Sequence, residues 1–303
     1  MSGSFASRVE AVLLVLALAW LGASEARACD AVIISTAPTL VFDYDPFAFA
    51  KTVARASFEI DSRETKACEA DLVLLDAQHL VVAEKDIDGT GVTVTFTATA
   101  SDAAAIATAT PGMWRVRIEP GRRITVSIDG LVAQDAVATA GLHTAELSLE
   151  LRDVGMPTSR APPTSLRLAL NAKPRAQMNI AGAAGTFGTG ANVSRVDFGT
   201  IESNASRRVF LQIRANTRAR LTIDSANQGR LLRTTGPADD GGIAYRAQFD
   251  DKDIDLSRHW EGVIDPPHSI AGKSFPLDLK LGAVGAHAAG DYNDVLTLEL
   301  SAL

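Results

Sequence analysis

Cys29 and Cys68 are the two cysteines of the chain and the side chains best suited to covalent chemistry. Their separation is too wide for the C-x-x-C spacing of a reactive thiol pair. An oxidising compartment would join them in a disulfide that closes a loop of about 40 residues and stabilises the fold by about 4 kcal/mol. The pair therefore predicts a structural disulfide, with a reactive thiol pair as the alternative.

Other groupings of reactive side chains give little support to catalysis. No H-E-x-x-H or G-x-S-x-G pattern occurs, so metalloprotease and serine hydrolase chemistry lack their motifs. Two acidic clusters, Asp86 with Asp88 and the group from Asp250 to Asp255, are typical of solvated turns rather than calcium loops. The glycines of GAAGTFGTG (182–190) lack the Lys-Ser/Thr pair of a phosphate loop. We expect no enzymatic activity, no metal site and no cofactor.

The composition excludes further classes of protein. The 303 residues carry a formal net charge of -7, and 47% of them are hydrophobic. A nucleic-acid partner is not expected, because such binders need clustered Lys and Arg to displace counterions. The hydrophobic share is too high for a disordered chain and large enough for two domains.

Residues 1–28 are predicted to be a signal peptide. An apolar run from Ala11 to Leu21 is too short for a membrane span, and Ala26-Arg27-Ala28 has the small-x-small pattern of a cleavage site. Cleavage before Cys29 would send the protein through the periplasm to the cell surface or the medium. A membrane anchor and a lipoprotein signal, with Cys29 leading the mature chain, are the alternatives.

The remaining sequence alternates between apolar and polar residues along most of its length. VTVTFTATA (92–100) and SLRLALNA (165–172) show the period of two that places one face of a strand in a core. The single predicted helix is the alanine-rich SDAAAIATA (101–109), with Ser101 as its cap. Many short strands with frequent turn residues predict an all-β protein built from immunoglobulin-like sandwiches.

A weak internal repeat suggests two such sandwiches. AGLHTAELSLEL (140–151) and AGDYNDVLTLEL (289–300) share a turn, alternating leucines and a glutamate. Their offset is the size of a domain, not of a solenoid unit. We predict an N-terminal domain over 29–173 and a C-terminal domain over 174–303. The alternative is that two strands with a glycine turn look alike by chance.

The two halves end differently. After the first copy, a Pro-rich loop (153–164) leads to another strand, SLRLALNA, whereas the second copy runs to the last residues. If the topologies agree, the second sandwich lacks its last strand and leaves an apolar groove with an unpaired edge. The predicted groove residues are Leu296, Leu298, Leu300, Met178 and Ile180. In the alternative interpretation SLRLALNA opens the second domain, and the asymmetry disappears.

The second half of the mature chain resembles the spore coat protein U family, the secreted pilin-like domains of archaic chaperone–usher pili, and the first half is similar to a more diverged copy. The resemblance rests on VDFGTIESNASRRVFLQI (196–213), on the closing AGDYNDVLTLEL, and on VFDYDPF (41–47) near an N-terminal cysteine. The second half departs from the family because it has no cysteine pair.

The resemblance implies assembly by strand exchange. A periplasmic pilus chaperone would fill the groove, and an outer-membrane usher would bring an adjacent pilin subunit whose extension replaces it. With no free segment before Cys29, the resemblance implies a tip adhesin that attaches cells to a surface and supports biofilm. A structural shaft or spore coat protein is the alternative. An exported enzyme or a chaperone with two sandwich domains is a third class.

The candidate adhesive loop contains the aromatic and apolar residues nearest to two turns. These residues are Phe47, Phe49, Met113 and Trp114. Exposed on loops, they would adsorb to a surface. In the alternative interpretation Phe47 and Phe49 point into the core and Trp114 fills it, because large aromatic side chains are usually mostly buried.

Overall fold

The computed structural model describes residues 29–35, 37–48, 50–100, 105–133, 136–159, 161–180, 187, 194–234 and 241–303. The predicted signal peptide (1–28) and Phe49 lie outside this described part. No α-helix occurs in the described residues, so none there has the length and apolar character of a membrane span.

The strands within residues 31–172 form one sandwich of two sheets. They are β1 (Ala31–Ile34), β2 (Thr39–Tyr44), β3 (Thr52–Ser62), β4 (Cys68–Leu75), β5 (Glu84–Ile87), β6 (Val92–Ala100), β7 (Ile106–Ala107), β8 (Met113–Ile118), β9 (Arg123–Val132), β10 (Gly141–Asp153) and β11 (Thr164–Ala172). One sheet has the order β1-β3-β9-β6-β5, and the other has the order β2-β11-β10-β4-β8-β7. Neighbouring strands are antiparallel except for β2 and β11, which are parallel.

Period-two alternation explains how these strands build a core. In β2, Leu40, Phe42 and Tyr44 are fully buried, while Val41 and Asp43 point outward. The same alternation in β11 buries every second residue, because successive side chains of a strand face opposite sides of a sheet. The inner faces of both sheets enclose a single apolar cluster.

The strands within residues 176–302 form a second sandwich. They are β12 (Ala176–Ile180), β13 (Ser206–Ala215), β14 (Ala219–Ser225), β15 (Arg230–Arg233), β16 (Ile243–Phe249), β17 (Lys252–Ile254), β18 (Trp260–Ile264), β19 (Lys273–Leu281), β20 (Tyr292–Asn293) and β21 (Leu296–Ala302). The larger sheet has the order β12-β13-β19-β16-β15-β20, with β17 beside β16; the smaller sheet has the order β18-β14-β21. A separate apolar cluster lies between them.

The predicted all-β fold with two tandem sandwiches is confirmed. We use the predicted limits, 29–173 and 174–303, to name the N-terminal and C-terminal sandwiches. SLRLALNA is β11, which pairs with β10 and β2. It therefore closes the N-terminal sandwich and does not open the second one.

The helix prediction is wrong in its described part. Ile106 and Ala107 form the short strand β7, which pairs with Arg115 and Trp114 of β8. Pairing with the free edge of the sheet outweighs the weak helix propensity of a short alanine-rich segment. Residues 101–104, including the expected cap Ser101, lie outside the described part.

Candidate docking groove of the C-terminal sandwich

The two sheets of the C-terminal sandwich approach each other at β12 and β21 without pairing. Within the described residues, β12 pairs only with β13, and β21 pairs only with β14. Cα atoms of β12 and β21 come within 8 Å of each other, yet no ladder joins the two strands. We call this gap between two strand edges the groove.

The five residues predicted for the groove lie along its two sides. Leu296, Leu298 and Leu300 lie on the core face of β21, and Met178 and Ile180 lie on β12. All five side chains are partly exposed and pack against the same apolar cluster. The groove therefore combines apolar side chains with the edges of two sheets.

The N-terminal sandwich shows the corresponding place filled. Leu147, Leu149 and Leu151 of β10 occupy the repeat positions of Leu296, Leu298 and Leu300. The strand pairing supports this equivalence. Leu149 lies opposite Leu74 of β4, and Leu298 lies opposite Ile223 of β14. Each residue of the second pair is 149 positions after its counterpart in the first pair. The three leucines of β10 are only 4%, 0% and 7% exposed.

The difference is the strand on the outer edge. β11 pairs with β10 along nine residues and contributes Leu166, Leu168 and Leu170, each 0% exposed. β21 has no such neighbour among the described residues. An edge strand with an apolar face is an acceptor for strand addition by another chain.

A carboxylate fixes the turn that leads into β21. Asp294 accepts hydrogen bonds from the Tyr245 hydroxyl at 2.6 Å, from the Ser225 hydroxyl and from the Asn227 backbone N–H at 2.9 Å. Burial, with the negative charge of Asp294 beside it, raises the pKa of Tyr245 above its ordinary value. In the first copy of the repeat, Ala145 occupies the position of Asp294. Only the C-terminal copy therefore has this carboxylate and its hydrogen bonds.

The candidate adhesive residues do not form an exposed apolar loop. Phe47 is 6% exposed and Trp114 is 5% exposed, the latter within the N-terminal core, and Met113 is half-buried in β8. Trp114 therefore fills the core, as in the alternative interpretation, whereas Phe47 is buried outside that core cluster. Phe49 lies outside the described residues.

Phe47 instead lies at the junction between the sandwiches, which sequence reasoning missed. Its ring lies 4.5 Å from the guanidinium of Arg214, and the ring of Phe187 lies 4.4 Å from the same group. Arg214 donates to Gln177 Oε1 and to the Ile270 carbonyl. Burial lowers the pKa of Arg214. An arginine in an alternating strand gives no sign in the sequence that aromatic rings cover it.

Polar contacts complete this junction. The fully buried Asn216 donates to the carbonyls of Ala138 and Lys173 and accepts from the backbone N–H of Arg175. Arg175 is paired with Asp45 at 2.7 Å. Burial alone would raise the pKa of Asp45, but hydrogen bonds from Arg175 and from the Phe47 backbone N–H hold it below its ordinary value.

The cysteine prediction is confirmed, because Cys29 and Cys68 form a disulfide that joins the first described residue to the start of β4. Both cysteines are buried. In the described residues, no three His, Cys, Asp or Glu side chains lie close enough to hold a metal ion. Asp250 and Asp251 have positive φ angles of 47° and 63° in the turn between β16 and β17.

No protein-family model matches the sequence, and a search of curated proteins gives no match. The resemblance to the spore coat protein U family therefore stays a prediction. The solved structures that the chain is similar to include tip adhesins and chaperone complexes of pili.

Three of these structures match about nine-tenths of this chain. A chain of the CsuC–CsuE chaperone–tip adhesion subunit pre-assembly complex, from archaic chaperone–usher Csu pili of Acinetobacter baumannii, is 12% identical with a TM-score of 0.42; the match covers 90% of this chain and 99% of that chain. CfaE, the adhesive subunit of CFA/I fimbria of enterotoxigenic Escherichia coli, is 11% identical with a TM-score of 0.36, over 90% and 78% of the two chains. The CupB6 tip adhesin from Pseudomonas aeruginosa is 12% identical with a TM-score of 0.31, over 89% and 94%.

Proposed function

We propose that this protein is an exported subunit of an archaic chaperone–usher pilus, positioned at the tip and mediating attachment of cells to a surface and biofilm formation. Its C-terminal sandwich accepts a donor strand. A periplasmic chaperone supplies the strand first, the outer-membrane usher receives the complex, and an adjacent pilin subunit then replaces the chaperone's strand with its own.

The observation that carries the proposal is the half-covered apolar face of β21. Fully burying one leucine side chain stabilises a fold by about 1.5–3 kcal/mol, and Leu296, Leu298 and Leu300 realise only part of this. An added strand would cover these three side chains and pair with the outer edge of β21. Both gains come from one event, which is why strand addition suits this site better than a small ligand.

The disulfide supports export. Structural disulfides form and persist in the periplasm and outside the cell, while cytosolic thiols are kept reduced. The Cys29–Cys68 bridge therefore agrees with the predicted signal peptide over residues 1–28. Both point to the route that pilus subunits must take.

The burial of Phe47 and Trp114 favours a second candidate function, a structural shaft or coat protein. Neither side chain offers the contact surface that adhesion at those positions would need. Immunogold labelling separates the candidates: label at the fibre end supports the tip adhesin, and label along the fibre supports the shaft subunit.

Chaperone capture tests the groove. The full-length protein would be co-expressed with the tagged periplasmic chaperone of the same pilus, and the captured amount measured. We expect Leu298→Asp to lower capture at least ten-fold, because a carboxylate would then face the apolar surface that the donor strand must bury. The matched control is Thr297→Asp, which adds the same charge on the exposed face of β21. Equal capture of both variants and the wild type would contradict the proposal.

A further inference from the structure

The backbone N–H of Cys29 donates to a carboxylate that is distant in the sequence. It donates a hydrogen bond to Asp153 Oδ1 at 2.9 Å, across 124 residues of sequence. The next backbone nitrogen, that of Asp30, donates to Glu64 Oε1 at 3.3 Å. Two carboxylates therefore accept hydrogen bonds from the consecutive backbone N–H groups of Cys29 and Asp30.

The site is built into the fold rather than formed by surface side chains alone. Cys29 is 7% exposed and fixed by its disulfide to Cys68. Asp153 is the last residue of β10 and lies opposite Ala70 of β4 in the ladder. Cys29 and Asp153 both line a cavity of about 230 Å³ at this end of the N-terminal sandwich. The geometry around the nitrogen is thus set by the disulfide, β4 and β10 together.

We infer that Asp153 is the binding site for the α-ammonium group of a mature chain that begins at Cys29. An export peptidase would hydrolyse the Ala28–Cys29 bond. Water would supply hydroxyl to the Ala28 carbonyl carbon and a proton to the Cys29 nitrogen, and the amine would take a further proton from solvent. The neutral amide contact then becomes a charge-assisted hydrogen bond between ammonium and carboxylate, which is shorter and stronger.

Among the described residues, charged side chains of both signs belong to the segments around this site. Asp30 belongs to the terminal segment itself, and Arg63, Glu64 and Lys66 follow β3. On β10, Arg152 is paired with Glu150 at 2.9 Å. The carboxylates of Asp153 and Glu64 are the acceptors that contact the terminal segment.

This ion pair rests on the export that the proposed function includes, but not on assembly into a pilus. It would hold the mature terminus within the N-terminal sandwich, together with the disulfide and the β1–β3 ladder. The repeat has Ala302 at the position of Asp153, so the carboxylate is a feature of the first sandwich alone. In a pilus subunit, residues held in this way would not be free to serve as a donor strand.

The pH dependence of α-amine reactivity tests the inference. The exported full-length protein would be sequenced from its N-terminus and then treated with an acylating reagent, acetic anhydride, from pH 6 to 11. We expect a start at Cys29 and an α-amine pKa well above the usual value of about 8, because the carboxylate favours the charged form. Asp153→Asn should increase the acylation rate at pH 7 about ten-fold, which corresponds to one pKa unit.

A second variant separates contact from general charge. Asp30→Asn removes a negative charge from the neighbouring residue but leaves the acceptor in place, so its acylation rate should change less than two-fold. A mature start other than Cys29, an N-acylated terminus, or a wild-type α-amine pKa at or below about 8 would overturn the inference. The wild-type profile decides the matter even if the Asp153 variant fails to fold.

Discussion

β10 and β21 have closely similar sequences and opposite surroundings. Both carry three alternating leucines, and both pair on one side with the corresponding strand of their own sandwich. The leucines of β10 are at most 7% exposed because β11 covers the other edge. Those of β21 are only partly buried. Burial of a strand is therefore set by its neighbour as much as by its own residues.

The two sandwiches differ in the strand beside their repeated strand. In the N-terminal sandwich, the Pro-rich loop brings β11 back beside β10, so the closing strand comes from the same chain. In the C-terminal sandwich, the described residues contain no strand on the outer edge of β21. A strand from a partner would make the two sandwiches alike.

The largest expected effect is the difference between two matched truncations. Leu149→Ala should lower the free energy of unfolding of the N-terminal sandwich by about 3 kcal/mol, because it opens a cavity in a closed core. Leu298→Ala should cost the C-terminal sandwich about 1 kcal/mol, since that side chain is already partly exposed. Urea unfolding, followed separately for each sandwich, measures both losses. Equal losses would show that the leucines of β10 and β21 are equally covered.

A closing strand appended to the same chain should cover the partly exposed leucines of β21. Appending a short linker and the β11 sequence TSLRLALNA after Leu303 should stabilise the C-terminal sandwich by about 3 kcal/mol, the gain from burying three leucines less the cost of ordering the segment. Thermal unfolding measures the shift. The control extension carries serine in place of the three leucines and should give no shift; stabilisation by both extensions would show that apolar burial is not the cause.

A smaller effect concerns the hydrogen bonds of Asp294 in the turn that leads into β21. Tyr245→Phe should cost about 1.5 kcal/mol, because the Asp294 carboxylate loses a buried donor. The raised pKa of Tyr245 gives the pH dependence: its contribution is complete below the unfolded value of about 10 and is lost as pH rises above that value. Wild type and variant should therefore converge in stability above pH 10. A constant difference through pH 11 would show that the hydroxyl contact is not responsible.

Much of the fold follows from local patterns. Period-two alternation predicts the strands, and the repeat predicts that two strands would take equivalent places, because both signals depend on residues close together in sequence. The five groove residues could be named because the alternation shows which face of a strand is apolar. The position of β11, by contrast, was ambiguous in the sequence, since one strand fits either sandwich equally well.

The junction could not be predicted because it depends on contacts between distant segments. Phe47 lies in a turn, where the sequence suggests an exposed loop, yet its ring packs against Arg214 of the other sandwich. The side chain of Asn216 donates hydrogen bonds to the carbonyls of both Ala138 and Lys173. Such pairs have no periodicity, and only the folded chain brings them together.

Hydrogen exchange on the full-length protein reports whether the outer edge of β21 is paired. We predict strong protection along β10 in the isolated protein and rapid exchange at the outward-pointing amides of β21. When the periplasmic chaperone binds, the β21 amides should become protected and those of β10 should not change. Protection of all β21 amides without a partner would show that the edge is already paired, and continued rapid exchange in the complex would show that the chaperone does not add a strand there.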